Sequence, residues 1–167
     1  MEQRTIQLPT VKKIETSKEK KVRLIISQDN LTFDYNIDVQ RELLYTDSSN
    51  NPIYRTMIQQ IQSKLSGYKS QDVSKKLYDT SKFITLQSTI SLLLDSKLKC
   101  FYCKEPIKIL YQHVREPKQW TLERIDNTFG HITDNVEIAC LSCNLRRRTM
   151  YHERFIFTKQ LNIVKTG

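Results

Sequence analysis

The chain contains four cysteines, and they fall into two pairs of identical spacing, Cys100-x-x-Cys103 and Cys140-x-x-Cys143. Two intervening residues let both sulfurs of a pair reach one ion, and two such pairs complete a tetrahedral thiolate site with Zn–S bonds of about 2.3 Å. No other feature constrains the fold as strongly, because sequence segments separated by 36 residues must close on a single point. A thioredoxin-like redox pair and a disulfide framework are the competing uses of C-x-x-C. Redox chemistry needs no second pair, so the arrangement points to zinc. Four thiolates leave no open coordination position; this Zn²⁺ is therefore expected to be structural, and any catalysis must be sought elsewhere.

Three of 167 residues are glycine, against an average usage of roughly 7%. This scarcity excludes the P-loop and the dinucleotide fingerprint, which need several closely spaced glycines. Lys and Arg number 27 against 18 Asp and Glu, a net charge of +9, which favours a polyanionic partner, nucleic acid first. The uncharged run from Phe83 to Leu94 is 12 residues long, short of the roughly 20 apolar residues of a spanning helix. The first residues, MEQRTIQLPTVKKIE, scatter charges through the stretch where a secretory leader carries a continuous apolar run. No membrane partner is expected. The cysteines are then expected in a reducing intracellular compartment, cytoplasm or nucleus, that of an infected host cell included.

Residues 11–23 carry Lys12, Lys13, Lys18, Lys20, Lys21 and Arg23 against Glu15 and Glu19. They read as a basic arm leading into a strand over Val22 to Ile26, with phosphate contact and a plain solvated face equally open. A second strand is expected around Leu31 to Val39. Asn51 and Pro52 then supply a helix N-cap and first position. Ile53, Met57, Ile58, Ile61 and Leu65 recur at helical spacing as core up to Gly67, which is expected to end that helix. Leu86, Ile90, Leu93, Leu94 and Leu98 predict a second buried helix running into the first cysteine pair. A soft boundary near residue 80 divides a mixed N-terminal region, 1–80, from a C-terminal region, 81–167.

Between the cysteine pairs, Trp120 to Ile125 alternates as a strand, Asn127 to Asp134 reads as a loop, and Val136 to Ala139 as a returning strand. The following LSCNLRRRTMYHERF has no helix breaker and is expected to be one helix that opens at the second pair. With this strand–loop–strand–helix order, the sequence resembles the HNH, or ββα-metal, endonuclease superfamily, particularly its zinc-bound branch that includes phage recombination endonuclease VII. The resemblance covers roughly residues 92–155. It rests on FYC at the first pair, the LERID strand end, Gly130 in the loop, Asn135 opening the second strand, and C-x-x-C-N from Cys140 to Asn144. LDRID-like strand ends are familiar among phage and viral sequences of this type.

The chain is expected to be an α+β protein: a helical N-terminal part with a few strands, then, as the resemblance implies, a zinc-stapled ββα-metal module. The resemblance implies a metal-dependent endonuclease hydrolysing phosphodiester bonds in DNA, with Glu123 and Asn144 on one catalytic Mg²⁺ or Mn²⁺ and Asn135 bracing the loop. Such a cation prefers oxygen ligands and keeps several waters, so one carboxylate and one amide oxygen suffice when the scissile phosphate supplies more. Where the superfamily usually places its general-base His, this chain has Arg124. A guanidinium cannot accept a proton, and Arg124 is expected to clamp phosphate instead. His131, directly after Gly130, and Asp126 are the alternatives for the base, while His113 reads as a packed or surface residue and His152 is expected on the helix beyond Arg148. Arg146, Arg147 and Arg148 are expected on phosphates, and Trp120 in the core. Two other readings stay open: an HNH-fold nucleic-acid-binding protein that has lost cleavage, as Arg124 suggests, and a structural or assembly subunit, for instance a viral one.

Overall fold

The Asn36 side chain accepts a hydrogen bond from the Asp38 backbone N–H (2.8 Å) and so opens helix α1, Ile37–Tyr45. Asn51 does the same for Ile53 (2.8 Å), with Pro52 at the first position of α2, Pro52–Ser74. Thr85 caps α3, Leu86–Asp95. An antiparallel hairpin follows, β1 Trp120–Arg124 and β2 Val136–Cys140, in the register Trp120↔Cys140 to Arg124↔Val136. A 3₁₀ turn, Thr133–Asn135, leads into β2, and α4 (Leu141–Arg147) and α5 (His152–Gln160) follow it. This computed structural model describes residues 19–23, 35–46 and 48–160, and among them the architecture mixes five helices with a two-stranded sheet.

The core joins Met57, Ile61 and Leu65 of α2 and Leu93 of α3 to Trp120 and Leu122 of β1 and Ile138 of β2. Ile107, Ile109 and Leu110 fill the space between α1 and the hairpin from a segment without regular structure. What holds that segment is Gln40 of α1, fully buried: its Oε1 accepts the backbone N–H groups of Ile109 (2.9 Å) and Leu110 (2.8 Å), and its Nε2 donates to the Leu110 carbonyl (3.1 Å). One amide thus satisfies three backbone groups that burial would otherwise leave unpaired. Contacts cross residue 80 freely. Lys64 of α2 donates to Gln119 (3.1 Å) and to the Trp120 carbonyl, and Tyr68 accepts the Leu122 N–H (3.1 Å).

Three local expectations are corrected. Of the strand expected over Leu31 to Val39, residues 31–34 lie outside the described residues and Ile37 to Val39 are helical, because the Asn36 cap starts α1 and buries Gln40 and Leu44 four apart on one face. Gly67 does not end α2. It is exposed in mid-helix, and the buried stripe continues past it through Tyr68 to Asp72, so packing outweighs the roughly 1 kcal/mol that a helical glycine costs. The single helix after the second cysteine pair is two helices. Arg148 has φ 51° and ψ −114°, and the Arg147 guanidinium turns back to the Met150 carbonyl (3.0 Å), closing the break. Val22 bridges to His113, while Lys12, Lys13, Lys18 and Leu24 to Ile26 lie outside the described residues. Among the described residues, no helix is long and apolar enough to cross a membrane.

Candidate metal centre and adjoining cleft

The first cysteine pair is set by a tight turn. The Lys104 N–H returns to the Cys100 carbonyl (3.0 Å), and Cys100 N–H donates to the Glu105 carbonyl (2.9 Å), with Lys104 in the left-handed region at φ 60°. The second pair straddles the end of β2 and the start of α4, where Cys140 Sγ caps the helix by accepting the Cys143 N–H (3.4 Å). All four sulfurs lie within 4.8 Å of one another, and Cys103 and Cys140 are 3.9 Å apart at Sγ. A tetrahedron with bonds of about 2.3 Å has edges of about 3.8 Å, whereas a disulfide needs about 2.05 Å. The cluster is therefore positioned to hold a metal ion. Cys100 takes the hydrogen bond of Cys140 and falls to about 4, while burial pushes Cys143 up to about 11. Thiolates packed this closely repel one another, and a divalent cation relieves that repulsion. The rings of Tyr102 and Phe155 pack edge-to-face at 4.8 Å, and His152 hydrogen-bonds Tyr102 (3.0 Å).

The end of β1, the loop after it, α4 and the C-terminal half of α2 enclose a cleft of about 160 Å³, lined by Tyr68, Lys75, Glu123, Arg124, His131, Asn144 and Arg148. Glu123 is 4% exposed. Its Oε1 is paired with Arg147, and its Oε2 is buried with no partner. Burial raises the Glu123 pKa, against the opposing hydrogen bond and charge of Arg147. Asn144 donates from Nδ2 to Thr121 (3.3 Å), which leaves Oδ1, the atom a hard cation uses, uncommitted. Asn135 spans the loop, accepting the Asp126 N–H (2.8 Å) and donating to the carbonyls of Asp126 (2.9 Å) and Gly130 (3.1 Å). Arg124 donates to the Phe129 carbonyl (3.1 Å) from the same cleft.

His131 is buried. Its Nδ1 lies 2.8 Å from Asp72 Oδ1, its backbone N–H donates to Asp72 Oδ2 (2.6 Å), and the Tyr68 ring packs on the imidazole at 4.5 Å. Desolvation holds the His131 pKa below its ordinary value, and the Asp72 carboxylate opposes that shift. Asp72 and Tyr68 escape the sequence reading because α2 is expected there to stop at Gly67. The available signal is an acid four residues after Tyr68 on an otherwise apolar helical stripe.

Two expected site residues sit differently. Arg147, expected on phosphate, is only 2% exposed; besides Glu123 its guanidinium donates to the carbonyls of Arg124, Ile125 (2.6 Å) and Met150 (3.0 Å). A guanidinium committed to four acceptors inside the fold is a structural clasp on the strand end, not a phosphate contact. Asp126 does not line the cleft. It closes a turn by accepting from Thr128 N–H (2.8 Å) and Oγ1 (2.7 Å), bonds that lower its pKa, and it faces a separate cavity of about 610 Å³ with Tyr151 and His152. Arg146 and Arg148 are exposed, and Arg148 alone of the two lines the cleft. No protein-family model, curated protein or solved structure matches the chain.

Proposed function

We propose that the protein is a metal-dependent endonuclease of the ββα-metal type that hydrolyses phosphodiester bonds in DNA, with a structural Zn²⁺ on Cys100, Cys103, Cys140 and Cys143. The observation that carries this reading is the unpartnered, buried Glu123 Oε2 in a cleft shared with Asn144 and His131. A buried carboxylate oxygen with no donor is costly unless a cation meets it, and Asn144 Oδ1 is the second oxygen beside it in sequence pattern and cleft. Glu123 and Asn144 would hold Mg²⁺ or Mn²⁺. When bound, that cation supplies stabilisation for the charge developing on the phosphate and the leaving oxygen.

The chain's own groups divide the remaining work. Arg124, Arg148 and Lys75 bring positive charge to the cleft and hold the phosphate in place. His131, uncharged near neutral pH because burial lowers its pKa, accepts the proton of the attacking water as its oxygen bonds to phosphorus and the leaving oxygen departs. Asp126 is the weaker alternative for the base, since it lines a different cavity and one oxygen of its carboxylate is committed to the Thr128 turn.

A second reading, a non-catalytic DNA-binding protein, is favoured by the Arg147 clasp, which already pairs the Glu123 carboxylate with a cation through Oε1. Plasmid nicking with Mg²⁺ or Mn²⁺ separates the two. Cleavage is expected to require one of these ions and to vanish in Glu123→Gln while zinc remains bound. Wild-type protein that binds DNA without cutting it, duplex or branched, supports the binder. Protein with no salt-dependent DNA affinity at all leaves only the structural or assembly subunit.

A further inference from the structure

The backbone N–H, the carbonyl and Nδ1 of His131 all meet residues outside the hairpin. Its backbone N–H goes to Asp72 Oδ2 at 2.6 Å, and its carbonyl accepts the Ile84 N–H at 2.9 Å. Tyr68 packs on the ring face at 4.5 Å, and Nδ1 faces Asp72 Oδ1 at 2.8 Å. Asp72 is itself 1% exposed. The close fit depends on the residue before His131: a Cβ on Gly130 would lie 2.7 Å from Asp72 Oδ2 and 2.5 Å from the Leu77 carbonyl. A buried acid and imidazole form an expensive way to join a helix to a loop, because both desolvate, and apolar residues of similar size would join them at less cost. The ring they hold lines the cleft with Glu123 and Asn144.

We propose that Asp72 of α2 is the positioning residue for His131, fixing the imidazole proton on Nδ1 so that Nε2 is left as an unprotonated acceptor for the cleft. An ionised carboxylate only accepts hydrogen bonds, so Nδ1 must donate to it, and the bond at one ring nitrogen sets the state of the other. The inference rests on the hydrolytic reading of the cleft for its catalytic consequence, though not for the tautomer. It also makes α2 part of the site, although α2 lies outside the residues that resemble the endonuclease superfamily.

The sharp variant is Asp72→Asn. The His131 backbone N–H requires an acceptor and takes the amide oxygen, so the amide NH₂ is turned toward Nδ1. Nδ1 must then accept, and the proton moves to Nε2. Two-bond ¹⁵N–¹H spectra of full-length, zinc-loaded protein read this directly. The expected results are a wild-type His131 protonated on Nδ1, reversal to Nε2 in Asp72→Asn, and, at unchanged KM, a fall in kcat of about 10² to 10⁴. A wild-type His131 carrying its proton on Nε2 overturns the proposal, as does a tautomer unchanged in Asp72→Asn. Reversal without loss of cleavage overturns the catalytic half. Wild-type protein that cuts nothing refutes the hydrolytic reading, while the spectra still decide whether Asp72 sets the tautomer. If Asp72→Asn fails to fold, the wild-type spectrum decides by itself: a proton on Nδ1 upholds the proposal and a proton on Nε2 overturns it.

Discussion

Arg147 and Arg148 are neighbours of one charge type with opposite placements: one guanidinium is sealed among four acceptors, the other is exposed at the cleft. Arg147→Ala is therefore expected to cost about 3–5 kcal/mol of folding stability, the usual result of leaving a buried charge without its partner, measured by urea unfolding. Arg146→Ala with Arg148→Ala should leave stability within about 0.5 kcal/mol, yet flatten the salt dependence of duplex-DNA binding by up to about two units of log–log slope, at about 0.9 per phosphate contact. A pH test belongs to His131. Its folded pKa is lowered, so the folded state binds less proton than the unfolded chain, and the associated stability is present above pH about 6.5 and lost as pH falls through the folded pKa. Wild-type protein should lose up to about 1.4 kcal/mol per pH unit more than His131→Asn in that window. Parallel curves would contradict the direction of the shift.

At the level of elements, the two described glycines make opposite demands. Gly67 sits inside α2 with no atom within 4 Å of the point a Cβ would occupy, whereas Gly130 is pressed against a backbone carbonyl and a carboxylate. Gly67→Ala should raise stability by about 0.5–1 kcal/mol through helix propensity. Gly130→Ala should lower it by about 1–3 kcal/mol, because the Leu77 carbonyl cannot yield without moving the end of α2. Thermal unfolding of the two variants checks both signs. The start of α2 is legible in the sequence because capping is local, and Asn51 and Pro52 announce it as written, whereas the equally local Asn36 cap of α1 falls inside a stretch that reads as a strand. Helix ends are less so, since the continuation of α2 past Gly67 and the break at Arg148 are each decided by contacts with residues distant in sequence.

For the whole molecule, the four-cysteine cluster ties the turn before the hairpin to the junction of β2 and α4, and Trp120, Ile138 and Phe155 pack in the same core. One zinc per chain is expected by elemental analysis. Removing it with a chelator, or replacing Cys143 with Ser, should unfold the hairpin, α4 and the cleft together, since metal binding and folding are one equilibrium in such sites. Near-ultraviolet circular dichroism of Trp120 and the tyrosines follows that loss. Retention of the native spectrum without metal would show that the apolar core suffices.

The cysteine spacing, the alternation over Trp120 to Arg124 and the positive charge are written in short stretches of chain. They determined by themselves a four-cysteine cluster positioned to hold a metal ion and a hairpin between its halves, and they carry the expectation of a polyanionic partner. Tertiary structure decided which charges are used and which are buried. Arg147 is withdrawn into the fold because four acceptors at the strand end and the helix break surround it, a convergence that one-dimensional spacing does not encode. Asp72 and His131 are 59 residues apart, and the pair exists because Lys64 and Tyr68 tie α2 to β1 and because Gly130 has no side chain to hold them apart. Local sequence sets propensities and ligand spacing. The partner of a buried charge is set by the packing of elements remote in the chain, where desolvation penalises every arrangement that leaves the charge alone.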